Sequence, residues 1–212
     1  MQRPTALHAS CTRPLGAIER KMNYSIEWLK RNLEEGKRFK YLYFWGHQSN
    51  KKEITASCFS QWWVAPFTVD NVVYKTAEHW MMAQKAHLFG DSDAFDKIVK
   101  ARTPGEAKAI GREVKNFDDS VWEEQRFEIV VNGSLQKFGQ HQDLQEFLIN
   151  TKDRILVEAS PVDNIWGIGL SVDDKKAENP EHWEGLNLLG FALMETRDIL
   201  NNNLKQLPPN HV

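Results

Sequence analysis

A chain of 212 residues, 41% hydrophobic with eight tryptophans, holds enough apolar mass for one packed domain and too much for a disordered chain. No apolar run approaches the ~20 residues needed to cross a bilayer. Two cysteines, Cys11 and Cys58, make neither a disulfide framework nor a metal site, so a reducing, cytoplasmic setting fits. The net charge of −2 gives no bulk attraction to nucleic acid, although nine Lys/Arg against four Glu make residues 1–40 basic.

Residues 1–21 show no sustained period, contain Pro4, Pro14 and Gly16, and lack the apolar core of a secretory signal. They read as a flexible tail. Their arginines and single acid, Glu19, equally suit an organelle transit peptide, and a start at Met22 accounts for them as well. "SIEWLKRNLEEG" predicts a helix from a Ser25 cap to Gly36. "FKYLYFW" (39–45) predicts a strand. "WWVAPFTVDNVVYK" (62–75) has the form of a hairpin, with Asp70-Asn71 at the turn and Pro66 marking an edge. Thr76 and Gly90 bracket a helix over "TAEHWMMAQKAHLF" (76–89), and a short helix follows near 92–101. In "TPGEAKAIGR", Thr103 and Glu106 form the T-x-x-E of a capping box, with Pro104 at the first helical position. A long helix is expected from Asp119 to Phe138, stopped by Gly139, then another over 141–150 and a strand over 154–159. "IWGIGL" (165–170) is too rich in glycine for a regular element. A closing helix covers 187–200, and residues 201–212 read as a frayed end. The expected architecture is a single α+β domain over residues 22–200, dominated by helices packed around a small sheet.

At 100° per residue, Glu78 and Lys85 project within about 20° of each other, with Met82 and Phe89 beside them. Seven residues span about 10.5 Å of helix, too far for a tight ion pair and far enough for a small ligand between the two heads. The plainer reading gives each group a separate partner, or lets the long stems reach water. A second wall is available in "SPVDNIWGIGL" (160–170). There Trp166 offers a stacking face, while Gly167 and Gly169 let backbone amides approach a phosphate or hydroxyl. Asp163, three residues before Trp166, is equally a turn former. Arg112 suits a phosphate, or simply complements a helix C-terminus. Trp122 is most simply a core anchor. His79 and His87 lack metal spacing, and no H-E-x-x-H, G-x-S-x-G, P-loop or Rossmann fingerprint occurs.

Taken in order, "YLYFW", "CFSQWWVAPFTVDNVVYKTAEHWMMAQKA", "TPGEAKAIGR", "VWEEQRFEIVVNGSLQKF", "ILVEASPVDNIWGIGL" and "GLNLLGFALMETRDIL" resemble the NADAR/YbiA-like family of N-glycosidases over residues 39–200. Ser60-Gln61-Trp62 departs from the Ser-Asn-Phe of some relatives, so Gln61 receives no implied role. The resemblance implies a YbiA-like α+β fold and hydrolysis of the bond between ribose C1′ and an exocyclic amine. Two substrate classes follow from it: phosphoribosylamino-pyrimidine intermediates of riboflavin synthesis, and ADP-ribose attached to guanine in DNA or RNA. It places Glu78 at a catalytic carboxylate, Lys85 at a Gln-Lys position, Trp122 at a functional tryptophan and Asp163 at the acid before Trp-Gly. Trp166, Gly167, Arg112 and Asn187 become substrate contacts. The resemblance implies no bound cofactor, no metal and no membrane partner. A silent ADP-ribose- or nucleotide-binding module is the competing expectation, and the joint presence of Glu78 and Lys85 speaks against it. Two routes stay open: a Schiff base at Lys85 with Glu78 moving protons, or direct hydrolysis with Glu78 or Asp163 activating water.

Overall fold

Helix α1 (Ile26–Glu34) begins where Ser25 Oγ accepts the Trp28 amide at 3.1 Å. This computed structural model describes residues 22–46 and 53–206, so the expected N-terminal tail and Cys11 lie outside the described residues. Strand β1 (Tyr41–Phe44) follows, and a 3-10 turn (Ala56–Phe59) leads to the hairpin strands β2 (Phe67–Val69) and β3 (Val72–Tyr74). At the hairpin's tip Asp70 and Asn71 take φ of 49° and 64°, the left-handed pair that a two-residue turn needs. Then come α2 (Ala77–Leu88), α3 (Ser92–Lys100), α4 (Pro104–Arg112), α5 (Asp119–Gln140), α6 (Gln142–Ile149), β4 (Ile155–Glu158) and α7 (Leu188–Gln206). The cap of α4 forms as read: Thr103 Oγ1 accepts the Glu106 amide, while the Glu106 carboxylate reaches back to the amide of Arg102, one residue before the cap.

Helix α2 is the centre of the domain, with α3, α4 and α5 packed on it. Helix α5 passes the contact on to α7, and α7 covers β4. Strands β1 and β4 pair in parallel from Tyr41↔Ile155 to Phe44↔Glu158. Ile155, Leu156 and Val157 are at most 1% exposed, so β4 reads as a continuous apolar run rather than an alternating one. The α+β class holds, but the expected small sheet is two separate two-stranded sheets. Phe67 and Tyr74 of the hairpin pack on Trp80 of α2, which keeps β2 and β3 away from β1 and β4.

Two helix ends differ from expectation. Gly139 does not stop α5, which runs to Gln140. A helical glycine costs about 1 kcal/mol, and the packing of α5 on α7 beside Leu200 outweighs that cost. The expected frayed end begins too early, because α7 continues to Gln206 and no breaker occurs before Pro208. Among the described residues no helix is long and apolar enough to cross a membrane.

One buried cation fixes the 3-10 turn. Lys137 of α5 is 1% exposed, and its Nζ donates to the carbonyls of Cys58 (2.6 Å) and Ser60 (3.0 Å). Burial pushes its pKa down to about 8, with the Cys58 thiol pulling the other way. Lys137→Met removes the donor and strands both carbonyls. The expected result is a loss of about 1–3 kcal/mol, read as a lower urea midpoint at unchanged slope.

Candidate active site

Thr76 starts α2 by accepting the His79 amide on its Oγ1. The Ala101 carbonyl can only accept, so His79 Nε2 carries the proton there (3.2 Å) and Nδ1 accepts from the Thr76 hydroxyl (2.8 Å). His79 is therefore a buried neutral brace, its pKa lowered chiefly by desolvation. The next contact builds the site: the Glu78 amide donates to the Gln61 carbonyl at 2.9 Å, fastening the Gln61–Trp62 wall to the first turn of α2.

Glu78 is only 2% exposed, so it does not snorkel to water. The Trp62 side chain hydrogen-bonds its carboxylate, while Oε1 has no protein partner. A carboxylate in the first turn gains from the helix dipole, by typically 0.3–1 kcal/mol. Burial outweighs this and pushes Glu78 up to about 7. Lys108, the Trp62 hydrogen bond and Arg112 pull it down, and Asp163 adds to the rise.

Lys85 lies two turns further along the same face. Its Nζ stands 4.0 Å from the centre of the Phe117 ring and 5.6 Å from that of Trp122. Desolvation lowers its pKa, and Asp119 opposes the shift. Helix α4 crosses closely over Gly111, where a Cβ would stand 2.2 Å from Met82 Sδ. That approach brings Lys108 and Arg112, one helical turn apart, to the same space.

The remaining wall follows the C-terminal ends of the parallel strands, the end where open α/β sheets also place ligands. Trp45 and Gly46 come directly after β1; Glu158 ends β4, and Ser160, Asp163 and Trp166 follow it. Together these groups enclose a cavity of about 830 Å³, within the size range of small-molecule sites.

Six of the residues singled out by sequence line this cavity: Glu78, Lys85, Asp163, Trp122, Trp166 and Arg112. Trp122 is both things at once, a buried anchor at the start of α5 and a cavity wall. Asp163 does form a turn, its Oδ1 accepting the amides of Ile165 (3.0 Å) and Trp166 (2.8 Å), while it also borders the cavity. Gly167 and Asn187 do not line it. Gly167 is a packing glycine, since a Cβ there would stand 2.9 Å from the carbonyl oxygens of Asp163 and Glu158. Asn187 is fully buried and braces β4, accepting the Glu158 amide at 3.0 Å and donating to the Leu156 carbonyl at 2.9 Å. Both of its side-chain polar atoms thus bond to backbone. It is a brace rather than a sugar or phosphate contact.

Among the lining residues that escaped the sequence reading are Trp62, Lys108 and Glu158. The four-residue spacing of Lys108 and Arg112 was a usable signal. Glu158 gave only the weak one of an acid ending an apolar run. Burial, Asp163 and Glu78 raise it to about 8, against Lys108, and its Oε2 is buried with no protein partner. Among the described residues no group of three or more His, Cys, Asp or Glu is arranged to hold a metal ion.

The chain is similar to known proteins in sequence and in fold. The E. coli protein YbiA, solved by NMR, matches with a TM-score of 0.67 at 26% identity, covering 83% of this chain and 94% of that one. An N-glycosidase of Acanthamoeba polyphaga mimivirus is 40% identical over 164 residues, which cover 75% of this chain and 95% of the viral protein. The chloroplastic riboflavin biosynthesis protein PYRR of Zea mays is 33% identical over 135 residues, 60% of this chain and 20% of that much longer protein. The NADAR domain model matches residues 43–201, a span that holds every cavity-lining residue from Trp45 to Leu189. On that match, which takes in most of the sequence and the whole of the cavity, the chain belongs to the NADAR domain family.

Proposed function

We propose that this chain is an N-glycosidase, a hydrolase that cleaves the bond between ribose C1′ and an exocyclic amine. The observation that carries the reading is the pair on α2: a carboxyl group and an amine, both shifted toward neutrality by burial, open on one cavity. A pure binding module has no use for a carboxyl group raised to about 7 that shares a cavity with an amine whose pKa burial lowers. Relatives named N-glycosidase, and one named for riboflavin biosynthesis, support the same direction.

C1′ of such a riboside is at the aldehyde oxidation level, and its ring opens to an imine. The Lys85 amine attacks that carbon, the base departs as an amine, and water hydrolyses the enzyme-bound imine. Glu78 takes up and returns protons along the way. Arg112 and Lys108 bring positive charge for the phosphate, while Trp166 and Trp122 supply aromatic walls. Both substrate classes fit this chemistry: the phosphoribosylamino-pyrimidine and the ADP-ribosyl guanine.

Offering both classes to the purified protein and following base release by chromatography tests the reading. Release of free base from at least one class is the expected result. Binding of ADP-ribose with no release from either class makes the chain a nucleotide-binding module instead.

A further inference from the structure

The roles given to Glu78 and Lys85 leave Glu158 without a task, yet it is built into the same cavity. Its backbone is held at both ends: its amide donates to Asn187 Oδ1 at 3.0 Å, and its carbonyl accepts the Ile168 amide at 2.9 Å. The side chain continues from that fixed point to the cavity wall, where Oε2 is buried without a protein partner. Glu78, arriving from α2, has an equally stranded Oε1. A buried carboxylate oxygen left without a hydrogen bond is costly unless a proton or a ligand meets it.

We propose that Glu158 is the general acid of this cavity: it carries a proton while Glu78 is ionised, and it delivers that proton to the departing amine. This rests on the glycosidase reading above. The groups facing Glu158 are Asp163 from the following loop, Glu78 from α2 and Lys108 from α4; Glu78 also feels Arg112. Burial first, and then two acids, disfavour charge on Glu158 against one amine, while Glu78 has Lys108, the Trp62 hydrogen bond and Arg112 to favour its charge, so Glu158 holds its proton longer than Glu78 does. The order matches the chemistry. Glu158 gives its proton to the exocyclic nitrogen as the C1′–N bond breaks and the electron pair stays on nitrogen. Water adds to C1′ and loses a proton to the Glu78 carboxylate; Glu78 then releases that proton and Glu158 takes one up through the cavity they share, which restores the resting state. One proton reaches nitrogen and one leaves water per turnover, whether or not Lys85 first carries the sugar.

Two measurements test this. Carbon-13 NMR of protein labelled at the Glu carboxyls should show two side chains titrating near pH 7 and pH 8, and Glu158→Gln should remove the higher one. That readout needs no turnover, so it stands apart from the glycosidase reading. In kinetics, Glu158→Gln should lower kcat by roughly 10²–10³-fold at little-changed KM. It should also erase a bend near pH 8 in the kcat profile. A substrate with a less basic leaving amine should recover most of the loss, which a merely structural role would not permit. The proposal is overturned if Glu158 titrates in the ordinary carboxylate range. It is equally overturned if the variant keeps both the rate and the bend.

Discussion

Lys85→Met is expected to lower turnover by on the order of 10⁴-fold or more, the scale seen when a covalent nucleophile is removed. The substitution keeps the unbranched stem that lies along Phe117 and Trp122, and it exchanges a cation–ring contact for a thioether–ring contact of similar strength, about 0.5–1 kcal/mol. Stability should therefore move little, and lost activity reports chemistry rather than unfolding. Borohydride added during turnover should trap the sugar on the wild-type protein and not on the variant. A working wild-type enzyme that yields no adduct, paired with a variant whose defect lies mainly in KM, would assign Lys85 to binding and the cleavage to direct attack by water.

Glu78→Gln should separate activity from stability. A glutamine still accepts the Trp62 hydrogen bond but cannot take a proton, so kcat should fall by roughly 10²–10⁴-fold. Stability should move the other way. The folded protein raises the Glu78 pKa from 4.5 to about 7, so it holds this proton more tightly than the unfolded chain does. The contribution is fully present below about pH 4.5 and is lost as pH rises through about 7. Wild type then bears an ionised, desolvated carboxylate that the variant lacks. At pH 8 the variant should be the more stable by on the order of 2 kcal/mol, roughly 4–8 °C in Tm, with the gap closing by pH 5. Equal Tm differences at the two pH values would show that the carboxyl is not desolvated as described.

What could be read from the sequence was whatever a few neighbouring residues decide. Thr76, Thr103 and Ser25 mark helix starts because a side-chain oxygen three residues upstream meets a free amide. Asp70-Asn71 marks the hairpin because both residues accept positive φ. The shared face of Glu78 and Lys85 followed from helical spacing alone. Errors arose where distant contacts decide the outcome. Gly139 stays helical because α7 packs against it, and Asn187 turns inward because β4 lies beneath it. Glu158 gave only a weak signal because its place depends on β4 pairing with β1, a partner no local pattern reveals. Asp163 and Trp166 were legible as a glycine-rich second wall and through the family resemblance, and the parallel strand ends explain why that loop borders the cavity.

The pairing of Tyr41 with Ile155 also bears on how this catalyst matures. A nascent chain can wind α2 and close its hairpin early, but the ribosome must release the chain through Glu158, more than a hundred residues beyond β1, before β1 meets its mate. Such remote closure is the slow class of folding event. Truncated translation products should therefore be inert rather than weakly active. Mutations that loosen the β1–β4 seam should surface as delayed maturation and chaperone dependence before they alter any measured constant of the finished enzyme.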